Sequence, residues 1–426
     1  MKAIMPCVMK FTAGFVAGEL VRTLDKLRGE IKYEYEANGQ LHSRDTGRLV
    51  DSEEFRYDAA ANRLNFNTSQ FDQVKDNRIK QWRDQEYTYD AWGNLIEKRS
   101  GLTKLQTFTY DCENRLVRAE TMVNSQVHSV GTYRYDSLGR RVGKTSERDG
   151  QTEQKHFLWQ GLRMLREETP WQSSLYIYEP GSYAPLARVD QSEGENQRKL
   201  YYFHTDQIGT PLEMTDVDGK IVWQATYKAW GEIESLAVRE IEQNLRFQGQ
   251  YFDEETGLHY NAFRYYDPEV GRFITQDPIG LLGGSNLYVF APNPNVWIDP
   301  WGLSCRTDYV GRTPGKGSKT GREVIEDMRS RGKIRGEGEG MRFKASDEQW
   351  YPIKEADMAH KADAVTYWNS KGGYHGAKSK EVRSWMLDSK NYELDHYSIN
   401  RSAGAKLNQL YRPPESMVGP HEKFNY

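Results

Sequence analysis

Tyr87-Thr-Tyr-Asp-Ala-Trp-Gly-Asn-Leu95 decides the fold, because its pattern returns along the first half of the chain. The copies are Tyr33-Glu-Tyr-Glu-Ala-Asn-Gly-Gln-Leu41, Phe55-Arg-Tyr-Asp-Ala-Ala-Ala-Asn-Arg-Leu64, Phe108-Thr-Tyr-Asp-Cys-Glu-Asn-Arg-Leu116 and Tyr133-Arg-Tyr-Asp-Ser-Leu-Gly-Arg-Arg141. The second tyrosine of each copy falls at 35, 57, 89, 110 and 135, a spacing of 21 to 32 residues. Alternating aromatics put two rings on one face of a strand. Aspartate then opens a turn, glycine or asparagine tolerates positive φ, and a second strand returns. One such hairpin is too small to bury its own face, so neighbours must stack into a continuous sheet. The tyrosines are read as core and ladder residues, not as sugar-binding ones.

Composition agrees with a β-rich chain. Of 426 residues, 37% are hydrophobic, yet 27 are Tyr and 11 are Trp. Mean hydropathy is −0.85. Aromatic abundance of this order excludes a disordered chain. The length allows two or more domains. Net charge of −3 conceals a polarity: residues 304–426 carry 22 Lys and Arg against 17 Asp and Glu, leaving the rest acidic. A basic tail on an acidic body suits nucleic-acid binding by the tail. Cys7, Cys112 and Cys305 form no CxxC pair, which argues against a disulfide scaffold or Cys-ligated zinc. No apolar run is long enough to span a bilayer. Pro6, Lys10 and Gly14 break the apolar start, so no secretory signal peptide is expected there.

The Tyr-Asp repeats resemble the YD repeats of Rhs proteins, wall-associated toxins and the C components of insecticidal toxin complexes. The resemblance implies a mostly β shell, here a fragment of a spiralling β-sheet cocoon that encloses a C-terminal toxin. It is stronger still at Tyr201-Tyr-Phe-His-Thr-Asp-Gln-Ile-Gly-Thr-Pro211, Arg246-Phe-Gln-Gly-Gln-Tyr-Phe-Asp253 and Arg264-Tyr-Tyr-Asp-Pro268. These segments are similar to the Rhs repeat-associated core. Pro294-Asn-Val-Trp-Ile-Asp-Pro-Trp-Gly-Leu303 resembles the PxxxxDPxGL boundary at which such shells cut themselves. The resemblance implies an aspartyl self-cleavage of Leu303–Ser304, with Asp277 and Asp299 as the carboxylates and Arg264 as their positioning partner. Two close carboxylates with split pKa values are a sensible device for peptide hydrolysis. Trp301 occupies a variable position of the motif and is expected not to matter.

After Leu303 the repeats stop. Residues 304–345 read as a Gly/Lys-rich linker with a short helix-like stretch, and 311–322 miss the spacing of a phosphate-binding loop. Residues 346–426 read as a separate small domain. Asp357-Met-Ala-His360 and Asn391-Tyr-Glu-Leu-Asp-His396-Tyr-Ser-Ile-Asn400-Arg401-Ser resemble signatures of the HNH/endonuclease VII superfamily of polymorphic toxins, of GH-E or SHH-like type. That implies an α+β ββα-metal domain acting as a metal-dependent DNase. His360 would be the general base, with Asp357, His396 and Asn400 as metal ligands. Asn391 would hold the hairpin loop, and Lys361 and Arg401 would meet phosphate. His396 and Asn400, at i,i+4, would share a helix face. Mg²⁺ is the expected metal, with Zn²⁺, Mn²⁺ or Ni²⁺ as alternatives. Ala359 replaces the subfamily's glycine, and the glutamate expected after Asn-Arg-Ser is absent.

The expected function is therefore an interbacterial toxin, made in the cytoplasm and delivered into target cells, with type VI secretion as the implied route. Its expected partners are DNA, a cognate immunity protein, a further shell chain and secretion components. The alternatives are an RNase tail and a non-enzymatic YD-repeat surface protein. Deamination is disfavoured, because no His-x-Glu accompanies a Pro-Cys-x-x-Cys. The expected divisions are an N-terminal segment over 1–30, repeats over 31–200 and the repeat-associated core over 201–303.

Overall fold

The computed structural model describes residues 11–400 except 17–18, 26–28, 37, 66–73, 181, 196, 281–285, 292, 304–309, 311–312, 363, 376–378 and 398. It divides into two compact units at residues 304–305. The first unit is built on antiparallel strands that each pair with the next in sequence. Five strands from Phe11–Val16 to Glu53–Glu54 form one sheet, and fifteen from Gln81–Trp82 to Ile233–Arg239 form a second.

The repeat residues explain this order. The first aromatic is core in four of the copies: Phe55, Tyr87, Phe108 and Tyr133 are buried, while Tyr33 is half-buried. The second reaches backwards. Tyr35, Tyr57, Tyr110 and Tyr135 donate from their hydroxyls to the carbonyls of Leu20, Leu41, Leu95 and Leu116, at 2.6 to 2.8 Å. Each tyrosine thus ties its strand to an earlier one. The aspartates make the turns: Asp90 Oδ1 accepts from the Trp92 and Asn94 amides at 2.9 and 2.8 Å, and Asp58, Asp111 and Asp136 repeat the arrangement. Turn closure needs positive φ, supplied by Gly93 at 86°, Asn114 at 59° and Gly139 at 76°. In the copy without Gly or Asn there, Ala61 takes φ 64°.

Residues 242–303 lie against the inner face of the long sheet. Tyr251–Asp253, Leu258–Asn261, Arg264–Asp267 and Arg272–Phe273 form a small four-stranded sheet. Buried cations of the long sheet meet its carboxylates. Lys98 Nζ is 2.8 Å from Asp267, Arg141 bridges Asp253 at 2.5 Å, and Lys144 reaches Asp253 and Glu255 at 2.9 and 2.8 Å. Burial alone would raise the Asp253 carboxyl. Arg141 and Lys144 outweigh it and hold the group below the usual carboxylate range. The long sheet continues unbroken through the expected division at 200/201, and the change of architecture comes after Arg239.

The second unit is α+β. Ser318 caps the helix Lys319–Ser330, accepting from the Gly321 amide at 3.0 Å. Val324 and Met328, four apart, bury with Ile334, Phe343, Met358, Tyr392 and Leu394. The linker expectation for 304–345 is therefore corrected. The Gly/Lys composition belongs to a short loop, while Val324, Met328, Ile334 and Phe343 are core of the tail. Ala356–His360 pairs antiparallel with Tyr392–His396, and the helices Ala364–Ser370 and Lys380–Leu387 lie between them in sequence.

Asp253→Ala leaves buried Arg141 without a carboxylate, while Lys144 keeps only Glu255, and should cost about 3–5 kcal/mol. Tyr110→Phe removes one hydrogen bond and should cost about 0.5–1.5 kcal/mol. Denaturant unfolding of the full chain should rank the two in that order.

Candidate functional site

Arg264, Asp277 and Asp299 come together. Arg264 opens its strand and is 2% exposed, with its guanidinium 3.6 Å from the Phe273 ring centre. Its Nη2 is 3.0 Å from Asp277 Oδ2 and 3.8 Å from Asp299 Oδ2, so it pairs with the first and only faces the second. Its Nε donates to the Gly302 carbonyl and its Nη1 to the Leu287 carbonyl, the latter at 3.0 Å. Asp299 Oδ1 accepts the Leu303 amide at 2.9 Å. Both carboxyls and the Leu303 side chain are buried. Ser304, on the far side of the expected scissile bond, lies outside the described residues.

The carboxyls differ in surroundings. Burial pushes Asp299 up to about 7, against the pull of Arg264 and the Leu303 amide and with a push from Asp277. Burial also raises Asp277, opposed by Arg264 and the Ile279 amide. Such a pair can hold one ionised and one protonated carboxyl near neutrality.

The segment being presented is shaped tightly. Gly302 has φ +67°, and a Cβ there would stand 2.6 Å from the Asn261 carbonyl oxygen. Trp301, expected to be indifferent, donates from Nε1 to the Tyr183 hydroxyl at 2.7 Å. Asn261, absent from the sequence-based candidates, donates to the Asp299 carbonyl at 2.9 Å. Its only sequence signal is its place just before Arg264 in a hairpin.

The tail candidates do not converge in the same way. His360 ends its strand opposite Tyr392, with ring centres 4.4 Å apart, and lies parallel to Trp385 at 5.5 Å. Trp385 stacks in turn on Tyr367 at 3.9 Å. His396 ends the partner strand opposite Ala356, so the two histidines mark opposite ends of the pair, about 13 Å apart at ~3.3 Å per residue. His396 faces Glu355 at 3.5 Å and the Tyr351 ring at 4.2 Å. It closes a strand, so the expected shared helix face with Asn400 is corrected: helix begins only at residue 397. Asp357 lies opposite Asp395, and its Oδ2 is 3.5 Å from Asn400 Nδ2. Asn391 does hold a loop, donating to the Trp385 carbonyl at 2.8 Å while its own carbonyl accepts the Lys361 amide at 2.8 Å. The Lys361 side chain is exposed, and Arg401 lies outside the described residues.

Among the described residues, no group of three His, Cys, Asp or Glu side chains could hold a metal ion. Asp357, His396 and Asn400 do not fit a common metal as they stand. Lys316, the lysine of the Gly-rich loop, is also engaged. Its Nζ donates to the carbonyls of Ile353 and Ala356 at 2.9 and 2.6 Å.

A Tyr-Asp-staple sheet with a carboxylate pair at its end defines a YD-repeat shell. A family model described as teneurin YD-shell matches residues 16–283, and the chain belongs to that family. It is similar to the double-stranded DNA deaminase toxin A of Burkholderia cenocepacia, at 42% identity over 68% of this chain and 22% of that protein. It is 32% identical to the toxin protein Tse5 of Pseudomonas aeruginosa over 69% of this chain and 27% of that one. The probable deoxyribonuclease RhsA of Dickeya dadantii is 32% identical over 53% of this chain and 16% of its own length. The chain thus spans about a quarter or less of these relatives.

The raised Asp299 has a stability signature. Its folded carboxyl binds a proton that the unfolded one, at 3.8, has lost, so its contribution is full below 3.8 and disappears as pH rises through about 7. Asp299→Asn should therefore gain stability relative to the parent across that window and show no further gain above it, read by denaturant unfolding against pH.

Proposed function

We propose that the chain acts as an Rhs-type interbacterial toxin whose shell cuts itself after Leu303 and frees residues 304–426 as a nuclease. The observation that carries this is the Asp299 carboxyl bound to the Leu303 amide beside an Arg264-paired Asp277. In the proposed step, ionised Asp277 takes a proton from a water molecule as its oxygen attacks the Leu303 carbonyl carbon. Protonated Asp299 gives its proton to the carbonyl oxygen. Collapse breaks the Leu303–Ser304 bond as the nitrogen takes the proton that Asp277 received from water and one hydroxyl returns a proton to Asp299, leaving a Leu303 carboxyl and a Ser304 amine. Arg264 stabilises the ionised carboxylate and orients the Gly302 carbonyl.

The nuclease reading of the tail rests on its basic charge, its two paired strands followed by helix, and relatives named for acting on DNA. His360, fixed against Trp385 and Tyr392, is the candidate base. A divalent metal such as Mg²⁺ remains part of the proposal, but no step is routed through it, since the described side chains do not gather around one. The proposed partners are DNA, an acidic immunity protein that would complement the basic tail, a further shell chain and a secretion apparatus. No helix among the described residues is long and apolar enough to cross a membrane.

Intact-mass analysis of the expressed chain should show a cut between Leu303 and Ser304. Asp277→Asn and Asp299→Asn should each leave the chain whole, and cutting by both variants would refute the self-cleavage. Separately, the released tail should nick plasmid DNA with Mg²⁺, lose this in EDTA, and lose it on His360→Ala. Intact plasmid with degraded RNA would make it an RNase.

A further inference from the structure

The two-residue turn between Leu258–Asn261 and Arg264–Asp267 does more than supply Arg264. Asn261 pairs with Arg264 across it, and Ala262 at its corner has φ 47°, a conformation an alanine adopts at a cost of order 1–3 kcal/mol. This strained turn makes three polar contacts with the segment that would be cut. Asn261 Nδ2 donates to the Asp299 carbonyl at 2.9 Å, the Phe263 amide to the Trp301 carbonyl at 3.2 Å, and Arg264 Nε to the Gly302 carbonyl. All three acceptors are main-chain oxygens on the amino-terminal side of Leu303–Ser304.

Asn261 is the member with the most telling environment. It is fully buried, and its Oδ1 meets no hydrogen-bond donor among the described residues. A buried acceptor left so costs about 1–3 kcal/mol, which a leucine of the same shape would not incur. Stability is therefore a poor reason for an asparagine at this position. What it does accomplish is geometric. The Asp299 carbonyl also closes the Asp299–Gly302 turn, accepting the Gly302 amide at 3.3 Å. Fixing that carbonyl fixes the turn, and the turn brings the Asp299 carboxyl onto the Leu303 amide.

We infer that Asn261 is a positioning residue for the cleavage after Leu303, acting through the Asp299 carbonyl to hold the Asp299 carboxyl at the bond to be broken. The inference rests on the self-cleavage reading. Asn261 does not touch the reacting atoms, and Arg264 and Asp277 are the charged groups that share the pocket with Asp299. With Asn261 gone the turn loosens, the Asp299 carboxyl gains water, and its proton is lost at lower pH.

The test uses labelled full chain from a brief cell-free synthesis, trapped in denaturant and refolded by dilution into buffers from acidic to alkaline. Asn261→Leu is the main variant, because it keeps shape and removes the unmet acceptor, so the fold survives. Asn261→Ala is the second. Both should slow release of the tail by about ten- to a hundred-fold and move the alkaline fall of the rate to lower pH. Tyr110→Phe, which loses one hydrogen bond to the Leu95 carbonyl and leaves every contact of Asn261 and Asp299 in place, should keep the parent rate and profile. Parent-like cleavage by Asn261→Leu, or a slower rate with an unmoved profile, overturns the inference alone. An uncut parent chain, or cutting that persists in both aspartate variants, overturns the self-cleavage reading and this inference with it.

Discussion

A cation taken out of water on the inner face of a β-sheet has to be met by a carboxylate, and the rest of this shell depends on that demand. Lys98, Arg141, Lys144 and Lys155 point inward from three strands, and Asp267, Asp253, Glu255 and Glu242 answer them from the returning segment. Unmet, each charge would cost several kcal/mol. Met, they allow the 242–303 segment one seat in which these charges are paired. That seat sets where Arg264 lies, and Arg264 sets where Asp277 and the Gly302 carbonyl lie. The electrostatics of the wall and the chemistry of the boundary are one arrangement.

Within that seat, the same low-dielectric surroundings act in opposite senses on two aspartates. Asp253 has two cations in contact and is kept ionised. Asp299 has one guanidinium at 3.8 Å and the backbone amides of Leu303 and Trp301, too little to offset its burial. The difference between a carboxyl held ionised and one whose proton is retained lies here in the number of cations in contact, not in depth.

The repeat is legible in the sequence because each of its parts acts locally. Aspartate closes its own turn, and tyrosine reaches a carbonyl that any neighbouring strand presents. Asp277, Asp299 and Arg264 can be named from their motifs. Asn261 cannot, since its partner is a backbone oxygen 38 residues away that leaves no mark on composition. In the tail, the pairing of Ala356 with His396 is hidden by the helices between the strands. The motifs place His360 and His396 in one site, whereas the register sets them at opposite ends of the strand pair. The Gly/Lys run reads as a linker by its composition, yet Lys316 serves main-chain carbonyls and the helix after it carries the core stripe.

The tyrosine staple carries one more implication. Tyr35, Tyr57, Tyr110 and Tyr135 each bind a peptide oxygen, a group present in every residue, so this staple asks nothing of the predecessor's side chains. A unit inserted or deleted by recombination would find its neighbours ready to accept it. The freedom ends where inward lysines and arginines face the returning segment, since those strands have fixed counterparts. A wall of this kind lengthens by adding interchangeable courses, while the few courses that carry charge keep their order.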